Sequence, residues 1–185
     1  MCASIDGTGD IVEFIRKGIV WEEWLANFKQ GLALPGGKEK MRFDLTITGP
    51  GMFSLRDLFD LSLELDVSME TKIMFAFHPD IVFSPFAWPK HILHRHINEL
   101  LTYMEPRATH RQQTLVNTLR EMKNRPTFDE QFPDIHEQQF KNGKGYQDQL
   151  DKIRQEQFRL EDIYRRDTEL YDWWKAYHDS GPIFV

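Results

Sequence analysis

The earliest residues with chemical potential are Ser4 and Asp6, two positions apart in Met-Cys-Ala-Ser-Ile-Asp-Gly. In an extended strand, residues two apart point to the same side, so a hydroxyl and a carboxylate emerge together. That pair can hold a ribose diol or an amino group by hydrogen bonds. The competing reading is turn chemistry, because Asp6-Gly7 and Thr8-Gly9-Asp10 are ordinary loop formers and helix caps. Two threonines, Thr46 and Thr48, end a second apolar run, and His78 and Asp80 follow a third. His91, His94 and His96 crowd another segment, where histidines three apart could share a helix face and a metal. Lys90 and Arg95 oppose a cation there, which favours a solvated basic face over a metal-dependent hydrolase. The Gly7-Thr-Gly9-Asp10 loop lacks the third glycine and the lysine of a phosphate loop. Pro35-Gly36-Gly37-Lys38 precedes a strand rather than a helix, the wrong order for a phosphate cradle. No Ser/His/Asp nucleophile motif is visible.

These residues need elements to position them. Three short runs read as strands: Met1 to Ile5, Met41 to Thr48, and Lys72 to His78. Each is rich in β-branched or aromatic residues and closes in turn formers. Phe43, Leu45 and Ile47 alternate onto one face, and the third run is nearly all apolar, as expected of a strand covered on both sides. Helical spacing fills the intervals. Asp10 can cap a short helix over Ile11 to Lys17. Trp21, Trp24, Leu25 and Phe28 form one stripe. Leu55 to Leu65 follows Ser54-Leu-Arg-Asp57, which fits a capping box. Pro89 opens a helix reaching Met104. Strand and helix alternation at this spacing predicts parallel βαβ units. Three strands make a poor free-standing parallel sheet, so the expected fold is α/β: three βα units over 1–108, read as the back half of a larger α/β architecture. A helical C-terminal extension follows over 109–185. Within it, His110 to Met122 reads as helix and Thr127-Phe-Asp-Glu130 as a capping box. Gly143-Lys-Gly145 reads as a break, Tyr146 to Tyr164 as a long charged helix, and Thr168 to His178 as a last one. In such folds ligands sit at the carboxyl ends of the strands, where Ser4, Asp6, Thr46 and Thr48 fall.

Composition narrows the classes. The chain has 185 residues, 23 Lys+Arg and 29 Asp+Glu, for a net charge of −6. A net acidic surface argues against a nucleic-acid partner, since phosphate backbones reward clustered Lys and Arg. Hydrophobic residues at 41% suffice for a packed core. No stretch approaches the roughly 20 apolar residues of a membrane helix, and no export signal is visible. The single cysteine, Cys2, can neither close an intrachain disulfide nor supply a multi-thiolate site. A cytoplasmic protein is expected.

The order of several motifs carries a resemblance. Ser4-Ile-Asp-Gly7, Val12-Glu-Phe-Ile-Arg16 and Trp21-Glu-Glu-Trp24 resemble the fourth strand–helix segment of radical S-adenosylmethionine (SAM) enzymes. Leu45-Thr-Ile-Thr-Gly-Pro-Gly-Met-Phe-Ser-Leu55 resembles the fifth strand and its loop. Phe83-Ser-Pro-Phe-Ala-Trp-Pro89 resembles the connection after the sixth. Leu150-Asp-Lys-Ile-Arg154 resembles a helix of the twitch-type branch. The resemblance implies that these units form a partial (half) parallel β/α barrel of three βα units, the C-terminal half of a six-unit partial barrel. Ser4 and Asp6 would contact the SAM ribose and amino acid moiety, Arg16 its carboxylate, and Thr46 and Thr48 would lie near the SAM or substrate pocket. Gly51 stands where the wider family often has Asn. The resemblance also implies a 4Fe–4S cluster, held by a C-x3-C-x2-C loop that this sequence lacks. The missing N-terminal half, or another subunit, would have to supply it, and the chain alone is expected to be inactive. The alternative is a non-catalytic α/β binding or assembly module derived from that fold. No motif names the substrate.

Overall fold

The computed structural model describes residues 2–77, 79–155 and 158–176. The chain is mixed α/β and mostly helical, around one small open sheet. Strands β1 (Cys2–Ile5), β2 (Arg42–Ile47) and β3 (Ser68–Ile73) pair parallel in the order β1-β2-β3. Ser4 stands opposite Asp44, which stands opposite Glu70; Thr46 stands opposite Lys72. Between β1 and β2 lie helices α1 (Gly9–Ile15), α2 (Trp21–Leu32) and α3 (Gly37–Lys40). A 3-10 turn, Pro50–Ser54, leads from β2 into α4 (Leu55–Glu64) and on to β3.

Period-two patterning sorts β2 onto two faces. Phe43, Leu45 and Ile47 are buried with Ile5 and Met69 beneath the helices, while Arg42, Asp44 and Thr46 face the other way. Removing each of those large side chains from water stabilises the fold by about 1.5–3 kcal/mol. Trp24 and Phe28 of α2 pack their rings on Phe43, at centroid distances of 6.0 and 4.9 Å. The second face is partly exposed, which is unusual for a parallel sheet.

The third strand departs from expectation. It occupies Ser68–Ile73, not Lys72 to His78, and its polar and apolar residues alternate because only one face is covered. The apolar run Phe75 to Phe77 instead enters an aromatic cluster. Phe77 stacks on Phe128 at 4.6 Å and meets Phe132 at 5.0 Å, while Phe75 meets Phe128 edge-on at 4.9 Å. Packing of that run against rings, with Phe75 still half exposed, rather than strand pairing, accounts for its composition. His78 lies outside the described residues.

Two 3-10 turns (Asp80–Phe83 and Pro85–Ala87) lead into α5 (Lys90–Met104). Then follow α6 (Gln113–Asn124), α7 (Phe128–Gln131), α8 (Pro133–Ile153), α9 (Leu160–Tyr164) and α10 (Thr168–Lys175). The Thr127–Glu130 capping box is present, with the Thr127 amide donating to Glu130 Oε2 at 3.2 Å. The expected Ser54–Asp57 box is not formed. Ser54 Oγ instead accepts from the Thr8 amide at 3.3 Å and donates to Gly51 O at 3.2 Å, tying two loops together. Nor does Asp10 cap α1; Thr8 holds that position and Asp10 sits in the first turn, where the helix dipole favours an anion.

The expected break at Gly143-Lys-Gly145 is also absent, since α8 runs through it. A Cβ on Gly143 would lie 2.4 Å from Ile81 Cγ2 and 3.1 Å from Pro79 O, so this glycine permits close packing of helix on turn rather than ending the helix. The helix expected over Tyr146 to Tyr164 is therefore the end of α8 and the separate α9. Residues after Ala176 lie outside the description. One buried core runs from Ile5 to Trp174, through both the sheet and the following helices. No helix among the described residues is long and apolar enough to cross a membrane.

Candidate functional site

At the carboxyl end of β1, three polar side chains meet. Arg16 follows the last turn of α1, where the backbone leaves helical geometry (φ −116°, ψ 84°), and its side chain folds back toward the sheet. Its Nε donates to Asp6 Oδ2 at 2.6 Å and its Nη2 to Ser4 Oγ at 2.8 Å. The other carboxylate oxygen, Asp6 Oδ1, accepts the Thr46 amide at 3.0 Å. Asp6 thus joins β1 to β2 and anchors Arg16. The carboxyl side chain is 7% exposed, against 32% for Arg16, so the guanidinium presents its outer edge to solvent. A buried carboxylate needs these partners, and the partial exposure of Arg16 screens the pair below the worth of a fully buried one.

Thr46 shares the face of Ser4 and stands beside Lys72. Thr48 does not join them. It is buried past the end of β2, and its Oγ1 accepts the Gly51 amide at 3.0 Å, shaping the loop. Gly51 is pressed into the same corner. A Cβ there would lie 2.5 Å from Asp6 O and 2.7 Å from Thr48 Oγ1, so no larger residue fits. Four of the five residues singled out in the sequence, Ser4, Asp6, Arg16 and Thr46, therefore converge, and Thr48 supports the loop behind them.

Sequence reasoning missed the remainder of this face. Lys72 Nζ lies 3.2 Å from Asp44 Oδ2, Arg42 Nη1 3.4 Å from Glu70 Oε1, and Arg42 Nε donates to Cys2 Sγ at 3.1 Å. The signal was available: Arg42, Asp44 and Thr46 are the polar half of the alternation whose apolar half is Phe43, Leu45 and Ile47. Together these side chains form a polar floor that continues from the Ser4–Asp6–Arg16 corner.

The histidine segment serves another purpose. His96 Nε2 is 2.7 Å from Asp167 Oδ2, Arg95 Nη2 lies 2.8 Å from the same oxygen, and His91 Nε2 is 3.0 Å from Glu169 Oε1. These contacts fasten the start of α10, where Asp167 also accepts the Leu170 amide at 3.1 Å. Burial pushes the Asp167 carboxyl upward, but the Leu170 amide, Arg95 and His96 outweigh it and hold the group below its usual range. His94 is pushed below the ordinary histidine value by burial, with Lys90 and Lys123 adding to it. The expected solvated basic face is thus a docking surface for α10. Among the described residues, no group of three or more His, Cys, Asp or Glu side chains is arranged to hold a metal ion.

Two groups implied by the resemblance can be tested against these residues. The corner fits the polar end of SAM: a guanidinium edge for a carboxylate, and a hydroxyl beside it for an amino or ribose group. A 4Fe–4S cluster does not fit. Cys2 is the one cysteine in the sequence, is exposed, and already accepts from Arg42. No family model, curated protein or solved structure matches this chain.

Proposed function

We propose that this chain is the SAM-binding half of a radical SAM-type enzyme, a half β/α barrel acting with a separate cluster-bearing half in a cytoplasmic setting. The reading is carried by one observation: Arg16 reaches back across α1 to bridge Ser4 and Asp6 at the carboxyl end of a parallel strand. SAM, when bound, is the source of the radical that abstracts hydrogen from a substrate. The work of this chain is binding and orientation. Arg16, oriented by Asp6, offers two N–H groups in a plane to a ligand carboxylate, the geometry that a guanidinium matches better than an ammonium. Ser4 can accept from or donate to an amino or hydroxyl group beside it. Thr46 and Lys72 extend the polar wall toward whatever lies beyond.

Equilibrium dialysis with labelled SAM tests this on the full chain. Wild type is expected to bind. Arg16→Ala should weaken binding roughly 10- to 100-fold, equivalent to about 1.4–2.8 kcal/mol, and Ser4→Ala a few-fold. Failure of the folded wild type to bind, or unchanged affinity in Arg16→Ala, overturns the proposal. Anaerobic reconstitution with iron and sulfide should leave the isolated chain colourless, because three thiolates cannot come from Cys2; a brown, cluster-bearing chain would contradict the division of labour. That same single cysteine favours the second reading, a non-catalytic binding or assembly module. A folded chain that ignores SAM would support it.

A further inference from the structure

Away from the sheet, a cavity of about 280 Å³ opens between the Pro50–Ser54 turn, α4, α5 and the segment joining α9 to α10. Its size is near the lower end of the ~300–1,000 Å³ range of small-molecule clefts, too small for a folded partner. Met52 and Leu100 are buried in its wall, and Phe53 sets its ring edge-on to His96 at 5.2 Å. Three guanidiniums, Arg56, Arg95 and Arg166, line the same space, with Glu99 and Asp167 as the lining carboxylates.

The charges there are unevenly matched. Asp167 is fully engaged by His96, Arg95 and the Leu170 amide. Arg95 is further held by Glu169 at 3.1 Å. Glu99 is left to face Arg56 and Arg95 at 4.0 Å each, beyond hydrogen-bond length. Arg56 has that long contact and the face of Tyr103, 5.1 Å from the ring centroid. Arg166 has no side-chain hydrogen bond or ion pair among the described residues. Two guanidiniums therefore line one cavity without a hydrogen-bonded counter-anion.

We propose that this cavity binds a small phosphomonoester whose organic part is apolar or aromatic. A phosphomonoester carries about −1.5 to −2 charge near neutral pH, which matches Arg56 and Arg166 together, and its oxygens suit bidentate guanidinium pairing. Phe53, Met52 and Leu100 supply the surface against which a ring or short hydrocarbon can pack. His96, fixed by Asp167, forms the wall beside that ring. This site is independent of the SAM corner: it shares no residue with Ser4, Asp6, Arg16 or Thr46.

Calorimetric titration of the full chain with phenyl phosphate, inorganic phosphate and benzyl alcohol tests it. Phenyl phosphate is expected to bind most tightly, inorganic phosphate several-fold more weakly, and benzyl alcohol not detectably. Arg166→Ala and Arg56→Ala should each weaken phenyl phosphate about tenfold, and Arg166→Glu should abolish binding. Arg125→Ala, an exposed arginine elsewhere, should leave it unchanged. Circular dichroism melts confirm that each variant is folded; Arg56 and Arg166 are both exposed enough for truncation to spare the fold. No binding of phenyl phosphate up to about 10 mM, or equal affinity in wild type and Arg166→Ala, overturns the site. Equal affinity for phenyl phosphate and inorganic phosphate overturns the apolar half of the proposal.

Discussion

The two sides of this molecule solve opposite problems. The sheet face bearing Ser4, Asp44, Thr46 and Lys72 is polar and partly wet, its charges paired across strands at 3.2 and 3.4 Å and, at its corner, between Arg16 and Asp6 at 2.6 Å. The seam between the sheet's following turn and α8, α9 and α10 is dry and aromatic. There Trp88 Nε1 donates to Tyr164 Oη at 3.2 Å, and Tyr164 Oη donates to Val82 O at 3.1 Å, with Trp174 edge-on to Tyr164 at 5.2 Å. Burial pushes the Tyr164 phenol well above its ordinary value, so it stays a neutral donor. The seam holds the chain together through buried rings. The face contributes little packing and leaves polar edges on offer. Stability is thus drawn mainly from the seam, while the sheet face leaves its polar groups open to solvent.

That contrast can be broken most directly in the seam. Tyr164→Ala removes a fully buried ring and should cost about 3–5 kcal/mol, the range for buried aromatic truncation. In urea unfolding this reads as a large fall in midpoint with unchanged slope. Tyr164→Phe keeps the ring but strands Val82 O and the Trp88 indole, for a loss of about 1–3 kcal/mol. If both variants melt like wild type, the seam is not where the stability resides. On the face, Asp6→Asn should cost about as much as Tyr164→Phe and more than truncation at Lys72. It weakens the hold on Arg16 while keeping shape, at about 1.5–3 kcal/mol for hydrogen bonds to a charged group.

Acid offers a graded test of the clamp on α10. The folded Asp167 carboxyl titrates below its ordinary value, so its contribution is complete above about pH 4. It is lost as pH falls through the lower, folded value. His94 is held neutral, so its contribution is complete above about pH 6.5 and declines as pH falls from there through its lowered folded value. Chemical denaturation across pH should therefore show two acid-side losses. His94→Asn should erase the upper one and Asp167→Asn the lower. The smallest effect belongs to Lys72→Ala. Its exposed pair with Asp44 should be worth about 0–1 kcal/mol, and less at high salt. A larger loss would mean that the polar face, not the seam, carries the fold.

Local pattern made much of this architecture readable. The first two parallel strands and the helices around Trp21, Leu55 and Ile92 follow from the spacing of apolar residues. The failures share a cause: tertiary packing overrode local composition. Phe75 and Phe77 look like a buried strand, but they serve an aromatic cluster whose other members lie some fifty residues away, at Phe128 and Phe132. Gly143 looks like a helix breaker because its close neighbour, Ile81, is invisible in the local sequence. At the corner, the shared direction of Ser4 and Asp6 is a direct result of strand periodicity. The return of Arg16 depends on how α1 ends, which spacing does not encode. Thr48 lies past Ile47, where β2 stops, and its hydroxyl is taken up by the Gly51 amide, a loop contact that strand spacing does not encode.

The bond from the Thr46 amide to Asp6 has an experimental consequence. The acid that steadies Arg16 with one oxygen rivets two neighbouring strands with the other, so occupancy of the corner and the opening of the sheet are mechanically coupled. The exchange rate of a single backbone proton, that of Thr46, becomes a gauge of whether anything has docked next door.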